Sequence, residues 1–169
     1  YASHSTLALE GRSNGGLLMG ATLTQRPALA RAVVASVGIY DMLRSEQWAN
    51  GAFNVTEFGT VSNPAQRDAL FAYSPYEHVV AKTPYPGVLL ISATNDPRVN
   101  PGDSRRFAAK LQAATSSGYP ILLRVSDAGH VGTALSEGLA QTADLYTFLF
   151  WQLGVAYRAV DEGPASRSG

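Results

Sequence analysis

The sequence predicts an α/β fold, a parallel sheet with helices on both faces. Three observations predict it. Short apolar runs recur at residues 6–10, 32–37, 87–92 and 120–125, the pattern of strands covered on both sides. Longer stretches with helical spacing and helix-start signals lie between them. Ser13, Asp96 and His130, three residues of complementary acid–base chemistry, each follow one of these runs closely. Parallel sheets gather their functional groups at such strand ends.

Each element has its own local reason. Residues 6–10 form the first strand, and Gly11-Arg12-Ser13-Asn14-Gly15-Gly16 follows it. Leu17 to Leu23 then reads as the first turns of a buried helix. A strand, a Gly-x-Ser-x-Gly turn and a helix make a nucleophile elbow, which strains the serine backbone and lifts its hydroxyl clear of the sheet. Glycine is expected at Gly11 and Gly15 because side chains there would strike the strand and the helix. The helix N-terminus offers free N–H groups to a developing oxyanion.

Gln25-Arg26-Pro27 breaks this helix. Residues 32–37 form the second strand, ended by Gly38-Ile39-Tyr40-Asp41. A helix starts within 42–48, and residues 50–63, rich in Gly, Asn and Thr, read as a loop. Asn54-Val55-Thr56 matches a glycosylation sequon but reads as plain loop. Asn63-Pro64 caps and opens a helix reaching Leu70. Residues 73–79 form a second turn and short helix.

Residues 87–92 are the third strand, with Asn95-Asp96-Pro97-Arg98-Val99 at its end. Residues 101–114 form a helix with Phe107, Ala108 and Leu111 facing inward. Residues 120–125 are the fourth strand, and 126–132, containing His130, the loop after it. Residues 135–153 form the closing helix, with Leu139, Leu145, Phe148, Leu149 and Leu153 inward. Residues 1–155 thus make one α/β portion, and 156–169 a frayed tail with Gly-Pro and Ser-Arg-Ser-Gly.

Composition narrows the function. The 169 residues are 46% hydrophobic and 15% charged, a globular balance. Net charge is zero, so nothing electrostatic favours nucleic acid or an anionic membrane as partner. There is no cysteine, which excludes disulfides and thiolate nucleophiles. Metal-ligand types do not cluster, and the chemistry calls for no cofactor. No apolar run is long enough to span a bilayer. The expectation is a soluble protein of cytoplasm or periplasm, with the compartment itself unread.

Ser13, Asp96 and His130 come in the chain order of α/β-hydrolases. A serine hydroxyl is a poor nucleophile at neutral pH. An imidazole must take its proton, and a carboxylate must fix the imidazole tautomer and stabilise the imidazolium. Gly129 and Gly132 flank His130, a setting that His4 and His78 lack.

The chain also resembles the C-terminal part of the catalytic domain of the prolyl oligopeptidases. These are serine peptidases whose α/β-hydrolase domain is capped by a β-propeller. The resemblance runs from about Leu7 to Gly154. It is carried by Gly11-Arg12-Ser13-Asn14-Gly15-Gly16-Leu17-Leu18, Gln25-Arg26-Pro27, Val37-Gly38-Ile39-Tyr40-Asp41-Met42-Leu43, Glu57-Phe58-Gly59, Tyr73-Ser74-Pro75, Asn95-Asp96-Pro97-Arg98-Val99 and Ala128-Gly129-His130.

It implies Ser13, Asp96 and His130 as the triad, and Asn14 as the residue whose backbone N–H supplies half of the oxyanion hole. It also implies Arg98 as the group that binds a substrate carbonyl. Ile39, Phe58 and Val99 fall where the family lines the pocket for the residue before the cleaved bond. There are departures. Asn54 falls where a tryptophan is common, and Phe58 where a tyrosine is usual. We therefore expect a shifted or relaxed preference, still post-proline-like or small apolar.

The family's other oxyanion donor, a tyrosine hydroxyl, lies in a part this chain does not match, as does the propeller. The chain enters the elbow strand almost at once, and is expected to be one piece of a longer protein completed by the rest of that protein or by another chain. Alone it would lose on the order of 10²–10³ in rate with one oxyanion donor missing. The expected function is hydrolysis of short peptides by an acyl-enzyme route. An aminopeptidase or esterase of the same chemistry is the alternative, as is an inactive fragment serving as a binding or assembly partner.

Overall fold

The computed structural model describes residues 3–130 and 134–158. Four strands form one parallel sheet in the order β1 (Ala8–Arg12), β2 (Ala32–Ser36), β3 (Gly87–Ala93) and β4 (Ile121–Ser126). Around it lie α1 (Asn14–Gln25), α2 (Gly51–Phe58), α3 (Pro64–Tyr73), α4 (Pro101–Ala114) and α5 (Leu135–Leu153). The expected α/β-hydrolase-type sheet is present. Strand β1 ends two residues beyond its apolar run, because Gly11 and Arg12 pair with Ala35 and Ser36, and β4 lies one residue later than its run, ending where Ser126 pairs with Ala93.

Strand alternation divides the core in two. Val33 and Ala35 of β2 and Val88 and Leu90 of β3 face α1 and α4, where they meet Met19, Leu23, Phe107 and Leu111. Ala32, Val34, Leu89 and Ile91 point the other way and pack on Leu145 and Phe148 of α5. Both central strands are buried throughout, which is why they read as continuous apolar runs.

Residues 37–73 are inserted between β2 and β3 and build a third cluster above one end of the sheet. Its members are Leu17, Ile39, Met42, Leu70 and Val99, with Phe58 and Tyr73 packed against them. Here the sequence reading needs correction. The stretch read as loop contains α2, and the sequon residue Asn54 lies inside that helix, 3% exposed. The Asn54 amide donates to the Ser45 carbonyl at 2.8 Å, so tertiary contact stabilises a segment of weak helix propensity. Residues 42–47 form a 3₁₀ helix. Residues 75–78 form turns, with no helix. The Asn63 cap is as expected, its side chain accepting from the N–H groups of Ala65 and Gln66.

On α5, Leu145 and Phe148 are buried and Leu149 packs beside them, but Leu139 is 62% exposed and Leu153 half-buried. Six residues of helix rotate Leu139 by roughly 120° away from Leu145, off the face that meets β2 and β3. Of the expected tail, residues 159–169 lie outside the described residues, as do Val131 and Gly132 of the loop after β4.

Candidate active site

The turn after β1 determines where Ser13 sits. Its backbone has φ 57° and ψ −117°, a left-handed conformation that non-glycine residues rarely hold. The Ser13 N–H donates to the Ser36 carbonyl at 2.9 Å, which ties the turn to the end of β2. The glycine expectation holds at one position and moves at the other. A Cβ on Gly11 would lie 2.2 Å from the Gly15 carbonyl oxygen. A Cβ on Gly15 would meet nothing within 4 Å, whereas one on Gly16 would lie 2.8 Å from the Ser36 carbonyl oxygen and 2.9 Å from Gly38 Cα. The helix touches the neighbouring strand end at its third residue, and Gly15 faces open space.

The three strand-end residues converge. Ser13 Oγ lies 3.0 Å from His130 Nε2, and His130 Nδ1 lies 2.7 Å from Asp96 Oδ2. The imidazole and the Asp96 carboxyl are both shielded, their side chains 5% and 1% exposed. The other carboxyl oxygen of Asp96 accepts from the N–H groups of Arg98 and Val99, at 2.8 and 2.9 Å. A carboxylate so held can only accept from Nδ1–H. Nε2 is then left with its lone pair towards the serine hydroxyl. Asn14, the first residue of α1, has no partner for its N–H within the helix.

Several contributors were not legible as sequence. The Arg12 guanidinium donates to the His130 carbonyl and braces the loop after β4. Asn95 steadies the same loop by donating to the Asp127 carbonyl at 2.8 Å. The Asn14 side chain donates to Glu57 on α2 at 2.6 Å. A charged residue inside the Gly-x-Ser-x-Gly turn was the one available signal, for Arg12. The Asn14–Glu57 pair is 43 residues apart in sequence and left none.

A cavity of about 190 Å³ opens beside Ser13 and His130. Asn14, Ile39, Asn54, Phe58, Arg98 and Val99, all named from sequence, line it, together with Leu17, Asn50, Phe53 and Glu57. Arg98 is exposed at its edge, whereas Val99 and Ile39 are buried.

Behind the Ile39 wall, buried acidic groups join the 37–43 segment to α4. Asp41 pairs with Arg106 at 2.9 Å and with Arg44 at 3.7 Å. Asp103 accepts from the Tyr40 N–H at 3.3 Å. Burial, reinforced by the Asp41 charge, pushes the Asp103 carboxyl up to about 7. Burial likewise pushes the Tyr40 phenol well above its ordinary range. The folded protein therefore keeps on Asp103 a proton that the unfolded chain releases near pH 4. This favours the fold in acid, fades as pH rises from about 4 to about 7, and is gone above that. In Asp103→Asn the group stays neutral throughout. Urea midpoints at pH 5 and pH 8 should therefore differ less for the variant than for the parent. Equal differences would contradict the assignment.

A parallel sheet with a strained serine turn, and an acid and an imidazole on the two strand ends across the sheet, places the chain in the α/β-hydrolase fold class, as part of such a domain. More narrowly, the chain belongs to the prolyl oligopeptidase family, whose sequence profile matches residues 1–156. It is 40% identical over 158 residues to the prolyl endopeptidase of Elizabethkingia meningoseptica, covering 92% of this chain and 22% of that protein. Among solved structures, a prolyl endopeptidase superposes with a TM-score of 0.89 at 40% identity, covering 92% of this chain and 23% of that one. A post-proline cleaving enzyme from Rickettsia typhi superposes with a TM-score of 0.85 at 34% identity, covering 91% and 22%. The chain thus spans roughly a fifth of the length of these relatives. Among the described residues, no helix is long and apolar enough to cross a membrane.

Proposed function

We propose that the complete protein is a serine peptidase that cleaves short peptides through an acyl-enzyme. The observation that carries this is the unbroken hydrogen-bonded chain from Ser13 through His130 to Asp96, at 3.0 and 2.7 Å. Ser13 Oγ attacks the peptide carbonyl carbon while its proton passes to His130 Nε2. Asp96 holds the imidazole and offsets the charge it gains. The Asn14 N–H, at the positive end of α1, donates one hydrogen bond to the developing oxyanion. Collapse of the tetrahedral species expels the amine, which takes the proton from His130. Water then repeats the sequence on the ester. Arg98 holds a substrate carbonyl beside the cavity, and Ile39, Phe58, Val99 and Asn54 receive the side chain before the cleaved bond.

A second oxyanion donor and the β-propeller belong to the part of the protein outside this chain. The preference is post-proline-like or small apolar, and relaxed. A fluorophosphonate probe tests the core of this reading. It should modify Ser13, located by peptide mass, and the modification should vanish in Ser13→Ala. Chromogenic peptides with Pro, Ala or Phe before the cleaved bond should be turned over at comparable rates. Modification elsewhere would sink the assignment, and a large proline preference would sink the relaxed specificity.

A further inference from the structure

Asn54 shares the cavity lining with the apolar Leu17, Ile39, Phe58 and Val99 and with the polar Asn14, Asn50, Glu57 and Arg98, and among these polar residues it is the buried one. It is 3% exposed and it lines the cavity beside Ser13. Its orientation is fixed, because Nδ2 donates to the Ser45 carbonyl at 2.8 Å. Turning the amide over would set two oxygens against each other, so the nitrogen stays on the Ser45 side. The Oδ1 atom then points away from Ser45. Among the described residues nothing donates to it, and it is not among the side-chain atoms sealed from solvent without a partner. Asn54 thus brings to the cavity wall an amide whose nitrogen is engaged and whose oxygen meets no donor among the described residues.

We propose that Asn54 makes this pocket select a substrate residue whose side chain carries a neutral hydrogen-bond donor, over an apolar residue of the same shape. The proposal rests on the peptidase reading above and adds a selection within its relaxed preference: between side chains of like shape, the one carrying a donor is favoured. With the pocket empty, water satisfies Oδ1. A hydroxyl or carboxamide entering the pocket replaces that water in kind. A methyl group displaces the water and leaves a fixed, desolvated acceptor. Sites built around a buried polar group reject the analogue that lacks its partner far more strongly than apolar pockets discriminate by size. Because the Asn54 nitrogen is already engaged, the selection falls on donors.

Matched peptides test this in the complete protein: Thr against Val, and Gln against Met, at the residue before the cleaved bond. The parent should favour the donor-bearing member of at least one pair by roughly 5- to 30-fold in kcat/KM. In Asn54→Leu the ratio should fall to about one or invert. A parent ratio near one or below in both pairs overturns the proposal, and that measurement needs no variant. So does a ratio unchanged by Asn54→Leu. Loss of Ser13 modification in the parent would overturn the peptidase reading itself, which separates the two failures.

Discussion

Asp96→Asn should lower kcat about 10⁴-fold while leaving the fold intact. The carboxyl oxygen that accepts from the Arg98 and Val99 N–H groups survives as the amide carbonyl, so the turn after β3 keeps its two hydrogen bonds. The atom facing His130 Nδ1 becomes an NH₂ group at a position now 2.7 Å away. Nδ1 must then accept, which moves the ring proton to Nε2, opposite the Ser13 hydroxyl. An imidazole in that tautomer cannot take the serine proton. Peptide turnover and thermal melting, measured side by side, check the prediction. Activity within tenfold of the parent would remove Asp96 from its assigned role. Asp96→Ala is the contrasting variant: it should lose activity and also stability, because the two N–H groups lose their acceptor.

Phe107→Ala should destabilise the fold by ~3–5 kcal/mol. The ring is fully buried in the cluster between the sheet and the α1/α4 layer. It stacks on Tyr40 with centroids 4.6 Å apart and planes 14° from parallel. Truncation removes both the buried area and the stacking partner. Tyr40 joins Ile39, on the cavity wall, to Asp41, which pairs with Arg106 of α4. The loosened packing should therefore raise KM as well. Urea unfolding gives the first quantity and steady-state kinetics the second. A loss below about 1 kcal/mol would mean that this cluster relaxes around the gap.

The sheet was legible because its two middle strands are covered on both sides and carry little but Val, Leu, Ile and Ala. The convergence of Ser13, His130 and Asp96 was legible because each occupies a strand end, so three local readings met on one rim. The 50–63 stretch was misread for a physical reason. Its Gly, Asn and Thr content is that of a loop, and α2 forms because Asn54 and Phe58 find partners outside the segment. Leu139 was assigned inward from its apolar character alone, although its angle around α5 places it away from Leu145. Gly16, not Gly15, makes the close approach because α1 leans towards Gly38, a contact that local spacing does not encode.

The proposed reacting groups hang from the ends of β1, β3 and β4, whereas half of the residues lining the recess come from the 37–73 insertion, which packs with Leu17 and Val99 around a small apolar centre. Division of labour between two stretches of polypeptide lets selection act on them separately. Exchanges such as the one at Asn54 can redirect which peptides are chosen while the hydroxyl, ring and acid stay in register. Diversification of appetite within such a lineage would therefore accumulate in the inserted stretch and spare the strand tips.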